Sequence, residues 1–105
     1  MTPIAEQALR ESIAHHKQNL LAEKPEDVRL GRDNCALCEL HGFFCDGCPV
    51  KEAGFNECAG SPYDKVWRGA EYWRGSPKNK KLRENFREAE QKEIEFLKSL
   101  LEKPE

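Results

Sequence analysis

Apolar residues near the start of the chain recur at the spacing of one helix face. Thr2 and Pro3 are typical of an N-cap and a first helical position, and Pro25 is a stop signal. We therefore predict a helix from about Pro3 to Glu23, within an N-terminal unit of residues 1–24. Its predicted apolar face comprises Ile4, Ala8, Leu9, Ile13, His16, Leu20 and Leu21.

Two more helices are predicted in the last third of the chain, over residues 62–74 and 77–103. Each follows a Ser-Pro pair, a strong helix start, and Gly75 ends the first of them. The apolar positions are Tyr63, Val66, Trp67, Ala70 and Trp73 in one helix, and Leu82, Phe86, Ala89, Phe96, Leu97, Leu100 and Leu101 in the other. Glu93 interrupts the second stripe, and Ile94 is expected to lie to one side of it.

The middle of the chain lacks periodicity. Residues 25–34 are predicted to be a polar linker, and residues 35–60 combine four glycines with all five cysteines of the chain. Charged residues make up 34% of the 105 residues, so little apolar surface is left for a core, and small scaffolds of this kind often need a staple. We predict one mostly α domain, with N- and C-terminal helices around a small irregular metal-binding knuckle.

The cysteines predict a metal site. Their spacing is Cys-x2-Cys, six residues, Cys-x2-Cys, and then nine residues to Cys58. The first residues resemble no secretory signal and no run is long enough to span a membrane, so we expect a cytoplasmic protein whose thiols stay reduced. The predicted ligands are Cys35, Cys38, Cys45 and Cys48, with Cys58, His41 and His15 in reserve.

Zinc fits this ligand set best, because two Cys-x2-Cys pairs supply the four thiolates of a tetrahedral site. Such a site has no open position and would be structural. Three alternatives remain open: an iron–sulfur cluster, which five thiols could also hold, a disulfide pair, and free thiols that pack as small hydrophobic groups. The short six-residue separation leaves the identity of the four ligands open as well.

Positive charge is concentrated in residues 65–87, which contain eight Lys and Arg against two Glu. Aromatic side chains between the bases suit stacking on a nucleotide base while the charges meet phosphate. The candidate ligand-binding residues are Lys65, Trp67, Arg68, Trp73, Arg74, Lys78, Lys80 and Lys81. The alternative is that the two tryptophans pack in the interior and the bases are solvated helix faces.

No pattern indicates catalysis. The chain has no Gly-rich phosphate loop, no His-Glu-x-x-His motif and no nucleophile–base pair at a recognisable spacing. A catalytic hypothesis would rest on Cys58 as a reactive thiol. We therefore favour a protein that is not an enzyme.

Several segments together resemble a family of small cysteine-rich proteins encoded in bacteriophage genomes. The segments are Ser12-Ile13-Ala14-His15, Cys35-Ala36-Leu37-Cys38, Cys45-Asp46-Gly47-Cys48-Pro49-Val50 and Cys58-Ala59-Gly60-Ser61-Pro62-Tyr63. The resemblance covers residues 12–67 and carries no established activity. It implies a phage protein in the cytoplasm of a bacterial host, with an accessory role, and it makes Cys58 part of the motif.

These observations lead to three functional hypotheses. We favour a non-catalytic accessory protein that binds a host protein or counters host defence. The alternatives are a protein that binds or sequesters a nucleotide or nucleic acid through residues 65–87, and an iron–sulfur or thiol redox protein. The stripe Phe86, Leu97, Leu100 and Leu101 has few apolar neighbours in sequence, so we also expect that the C-terminal helix could form a homodimer.

Overall fold

A computed structural model of the protein describes residues 3–30 and 62–101. The described part contains three α-helices, a short 3-10 turn at Pro25–Asp27 and no strand, which confirms the mostly α fold class. The helices are α1 (Pro3–Asn19), α2 (Tyr63–Gly75) and α3 (Lys80–Leu101). None of them is long and apolar enough to cross a membrane. The predicted knuckle at residues 35–60 lies outside the described residues.

Helix α3 carries both halves of the described core, because α1 and α2 each pack extensively on it. One cluster fills the contact between α1 and α3 and comprises Ala8, Leu9, Ile13, Ile94, Leu97 and Leu100. The other fills the contact between α2 and α3 and comprises Ala22, Val28, Val66, Ala70, Trp73 and Phe86. Both clusters are small, so each side chain in them contributes a large share of the burial that stabilises the fold.

Helix α1 ends at Asn19, before the predicted end at Glu23. The Asn19 side chain is turned away from the helix and forms a pair of hydrogen bonds with the backbone of Arg29. Its Nδ2 donates to the Arg29 carbonyl at 3.1 Å, and its Oδ1 accepts from the Arg29 N–H at 3.0 Å. Asparagine side chains that bond to distant backbone favour helix ends and turns over continued helix.

Helix α3 begins at Lys80, later than the Ser-Pro pair had predicted. The side chain of Asn79 accepts hydrogen bonds from the N–H groups of Lys81 and Leu82, at 3.0 and 3.2 Å. Asn79 is therefore the N-cap, since it satisfies donors that the first turn leaves without partners. Ser76 instead belongs to the turn that precedes the cap, where its carbonyl accepts from the Asn79 N–H.

Two predictions about the N-terminal third were wrong. Ile4 and Leu21 were assigned to the buried face of α1, but they are 68% and 76% exposed. The buried face is rotated slightly and includes three polar residues, Ser12, His16 and Asn19. The predicted polar linker also contributes to the core, because Val28 is buried against α2 and α3.

The apolar stripe of α3 is covered by α1 at its leucines and by α2 at Phe86, which removes the basis for the predicted homodimer. Leu97 and Leu100 are 1% and 3% exposed, and Phe86 is fully buried in the other cluster. Ile94, which the sequence placed beside the stripe, is buried within it. The stripe lacks apolar neighbours along the sequence but gains them from α1 and α2 through tertiary packing.

Gly69 allows the backbones of α2 and α3 to approach closely. A Cβ atom at this position would lie 3.2 Å from the Phe86 Cα, closer than most side-chain carbons approach a neighbour. Next to this contact the ring of Trp73 packs on the ring of Phe86 with centroids 5.6 Å apart. The Trp73 indole N–H also donates to the carbonyl of Pro77, in the turn that joins the helices. A small residue at position 69 therefore fixes the geometry of the α2–α3 hairpin.

Replacement of this glycine tests the close approach. We expect Gly69→Ala to lower the free energy of unfolding by about 1 kcal/mol. The added methyl group crowds the Phe86 backbone, and this destabilises the fold by more than the higher helix propensity of alanine stabilises it. The matched control is Gly75→Ala, where a Cβ atom would meet nothing within 4 Å and the change should stay within about 0.5 kcal/mol. Urea unfolding followed by circular dichroism measures both. An equal response of the two variants would contradict the close approach.

Candidate functional site

The contact between α1 and α3 contains a buried polar cluster, which we call the seam cluster. Its members are His16 of α1 and Glu90 and Glu93 of α3. Ser12 and Asn19 are also buried on α1, and each of the five residues is at most 4% exposed. On α3 the two glutamates follow Phe86 at steps of four and three, and Leu97 and Leu100 continue that spacing. Steps of three and four return to the same helix face, so both glutamates lie within the apolar stripe.

His16 and Glu90 form the centre of the seam cluster. His16 Nδ1 lies 2.5 Å from Glu90 Oε1, and the two side chains are 5% and 0% exposed. The contact is an ion pair when His16 is protonated. At the start of α2, the Tyr63 ring lies edge-on to the His16 ring with centroids 6.0 Å apart.

Glu93 is the second carboxyl group of the seam cluster. Removal from water raises the pKa of Glu93 from 4.5 to about 7, the positive charge of His16 opposes this shift, and the negative charge of Glu90 adds to it. Burial disfavours the ionised form of a carboxyl group, and a neighbouring carboxylate acts in the same direction. Near neutral pH a substantial fraction of Glu93 is therefore protonated.

His15 and Asn19 hold the segment that leads toward the cysteines. His15 Nε2 lies 2.5 Å from the carbonyl oxygen of Arg29, the carbonyl that Asn19 also contacts. A carbonyl oxygen only accepts hydrogen bonds, so Nε2 must carry the proton. In neutral His15 this leaves Nδ1 with the free lone pair that a metal ion requires.

The predicted metal ligands are not brought together within the described residues. Cys35, Cys38, Cys45, Cys48, Cys58 and His41 all lie outside them. In residues 3–30 and 62–101, no group of three or more His, Cys, Asp and Glu side chains is arranged to hold a metal ion. The zinc site stays a prediction from the cysteine spacing.

The predicted ligand-binding residues of α2 separate into core and surface. Trp73 is 1% exposed, and its packing on Phe86 makes it a core residue that is not available to stack on a ligand. Trp67 is 45% exposed and Tyr72, which the prediction did not include, is 68% exposed. The sequence pattern did not distinguish the two tryptophans, because both lie near the apolar side of α2.

The two arginines of α2 are paired with acids of the same helix. Arg68 Nε lies 3.2 Å from Asp64 Oδ2, and the Arg74 guanidinium donates to Glu71 Oε1 at 2.7 Å. Exposed pairs of this kind contribute little to stability, but they place a negative charge beside each arginine. The outer face of α2 is therefore less basic than its arginines alone suggest.

The predicted lysines are exposed and are spread over two regions. Lys65 lies on the first turn of α2, whereas Lys78, Lys80 and Lys81 surround the start of α3. Lys81 lines an open groove of about 420 Å³ whose other residues are Leu20, Glu84, Arg87, Glu88 and Gln91. Because acids and bases alternate along the groove, it has no single charge preference.

Comparisons with protein-family models, with curated proteins and with solved structures found no match for this chain. The resemblance to phage proteins therefore stays an expectation from sequence segments. The seam cluster is the main feature that sequence reasoning missed. The regular spacing of Glu90 and Glu93 with Phe86, Leu97 and Leu100 was the signal that could have placed both glutamates at the seam.

The raised pKa of Glu93 predicts that stability falls as pH rises. Its folded-state pKa of about 7 lies above the reference value of 4.5. The stabilisation from protonation is therefore complete below about pH 4.5 and is lost as pH rises through about 7. We expect the free energy of unfolding to fall by about 1–2 kcal/mol between about pH 6 and pH 8, measured by urea unfolding.

The matched variants for this prediction are Glu93→Gln and Glu95→Gln, which remove the same charge from buried and exposed positions of α3. Glu93→Gln should lose most of the pH dependence, because the amide does not ionise in this range. Glu95→Gln should retain it. If the two variants keep the same pH dependence, the shift does not arise at Glu93.

Proposed function

We propose that the chain is a non-catalytic binding protein that contacts a protein partner through the outer face of α2 and holds a structural metal ion in its cysteine segment. The observation that carries the partner proposal is the exposure of two large aromatic rings, Trp67 and Tyr72, on the helix where Arg68 and Arg74 are paired with acids. Tryptophan, tyrosine and arginine are the residues that most often dominate protein–protein binding.

The paired arginines favour a protein partner over a polyanion. A phosphate ligand must compete with Asp64 for Arg68 and with Glu71 for Arg74, and both carboxylates repel it. An acidic or polar protein surface can instead use the aromatic rings and accept the mixed charge at the rim of an interface. The net charge of -2 on the whole chain adds to the barrier against non-specific binding of nucleic acid.

The origin of the partner follows from the resemblance to phage proteins. We propose that the protein acts in the cytoplasm of a bacterial host as a bacteriophage accessory protein. On this view the partner is a host protein, and a component of host defence is the first candidate. The support is the set of cysteine-centred segments between residues 12 and 67.

The chemistry of the donor set favours zinc as the structural ion. Cys35, Cys38, Cys45 and Cys48 would hold it, with Cys58, His41 and His15 as substitutes. Zinc binding to small domains supplies apparent free energies of about 10–16 kcal/mol, which would compensate for the small core. The competing hypothesis is an iron–sulfur or thiol redox protein, in which the fifth thiol takes part in the chemistry.

Metal content tests this part of the proposal. Native mass spectrometry of protein purified without chelators should show one zinc ion per chain and a colourless sample. Cys48→Ser should lose the ion, because it removes a thiolate from a Cys-x2-Cys pair, whereas Cys58→Ser should retain it. Visible absorption from an iron–sulfur cluster, or a metal-free wild-type protein, would contradict the zinc proposal.

Site-specific photocrosslinking in bacterial cells tests the partner proposal. A photoreactive phenylalanine analogue at Tyr72 should give one discrete protein adduct, and the same analogue at Lys92, an exposed position on α3, should not. Trp67→Ala in the Tyr72-labelled chain should reduce the adduct at least about fivefold, since interface aromatics often contribute more than 1 kcal/mol. No adduct, or the same protein adducts from both positions, would reject the proposal.

Nucleotide or nucleic-acid binding is the second candidate, and the three lysines at the start of α3 favour it. Lys78, Lys80 and Lys81 are exposed around Asn79, and the first turn of a helix attracts anions. In the crosslinking experiment this candidate predicts an adduct that nuclease digests. Such an adduct would reject the protein-partner proposal and support binding of nucleic acid.

A further inference from the structure

The seam cluster contains buried polar atoms whose hydrogen-bonding capacity is not used. Within the described residues, Glu90 Oε2 and Glu93 Oε2 have no hydrogen-bond partner, whereas His16 Nδ1 and Glu90 Oε1 contact each other. Most buried polar groups in folded proteins have hydrogen-bond partners, and a buried group without one marks stored strain or a functional role. Two such oxygens beside a buried histidine–glutamate pair form an unusual arrangement for a seam that only holds helices together.

We propose that the seam cluster is a proton-operated latch that keeps α1 docked on α3 while the carboxyl group of Glu93 is neutral. When Glu93 ionises, α1 separates from α3 and the α2–α3 hairpin stays folded. The separation exposes the apolar residues of both helices in the first core cluster, including Leu9, Leu97 and Leu100.

The charge count of the seam cluster explains why one proton has this effect. In its charged form His16 compensates Glu90, which lies 2.5 Å away. The charged groups that act on Glu93 are His16 from α1 and Glu90 from α3, and Tyr63 of α2 packs on the His16 ring. Among the described residues, an ionised Glu93 is therefore a second negative charge beside a single histidine, in a buried site. Burial of such a charge is costly.

The free-energy cost of burying this charge destabilises the contact of α1 with α3 and not the contact of α2 with α3. Helix α1 packs on α3 and makes few contacts with α2, whereas α2 and α3 share the second core cluster around Trp73 and Phe86, to which Ala22 and Val28 of the segment after α1 also belong. The two clusters have no residue in common. Loss of the first cluster therefore leaves the packing of the second in place, and local opening is less costly than global unfolding.

The expected size and direction of the effect follow from the pKa of Glu93. Burial raises it from 4.5 to about 7, so the docked state holds the proton more tightly than the open state does. The latch is therefore closed at acidic pH and opens as pH rises through about 7. With these two pKa values, the opening equilibrium constant of α1 should rise about tenfold between about pH 6 and pH 8.

Hydrogen exchange followed by mass spectrometry tests the latch on the full chain. After correction for intrinsic exchange rates, protection of the α1 amides should fall about tenfold between about pH 6 and pH 8. Protection of the α2 amides should change less than about threefold over the same range. The tryptophan fluorescence spectrum, to which Trp73 of the second cluster and Trp67 of the same helix both contribute, should stay constant.

Two variants with the same change of charge complete the test. Glu93→Gln should lose the tenfold change in α1, and Glu95→Gln, at an exposed position of the same helix, should keep it. The wild-type comparison between α1 and α2 decides the matter even if Glu93→Gln does not fold. Equal loss of protection in both helices, or no loss in α1, would overturn the latch. So would a tenfold change in α1 that persists in Glu93→Gln.

Discussion

The packing of two separate helices on α3 is the interaction on which the rest of the described structure depends. Helix α1 supplies one apolar cluster and α2 supplies the other, and neither helix has a comparable contact with its counterpart. A helix that serves two partners must be apolar on a wide arc, yet α3 is also rich in charge. The protein meets both demands by placing two glutamates inside the contact with α1.

Because of these glutamates, the α1–α3 contact contains ionisable groups, whereas the α2–α3 contact is apolar. The α2–α3 contact is apolar and close, with Gly69 against the Phe86 backbone and the Trp73 ring on the Phe86 ring. The α1–α3 contact combines leucines with His16, Glu90 and Glu93, and burial raises the pKa of Glu93. Buried ionisable groups of this kind seldom increase stability over apolar residues of similar size. In the latch that we propose, these groups make the α1 contact sensitive to protons.

The sequence predicted the three helices correctly because their apolar positions and Ser-Pro or Pro signals are local properties. It did not predict which residues each helix buries. Ile4 is apolar but lies outside the contact, and His16 and Glu90 are polar but lie within it. Burial there depends on a partner helix more than seventy positions away in sequence, and no local rule contains that information. The cap at Asn79 was missed because two start signals stand close together and only the backbone geometry selects between them.

The core formed by the described residues is divided into two small clusters. We propose that a metal ion in the cysteine segment between Leu30 and α2 adds to the stability of the fold. The central claim is that metal binding and folding are a single equilibrium. The most direct measurement is thermal unfolding, followed by circular dichroism, before and after a strong chelator is added under reducing conditions. The account predicts that the chelator lowers both the helical signal and the melting temperature. An unchanged signal and melting temperature, with metal removal verified by mass spectrometry, would contradict it.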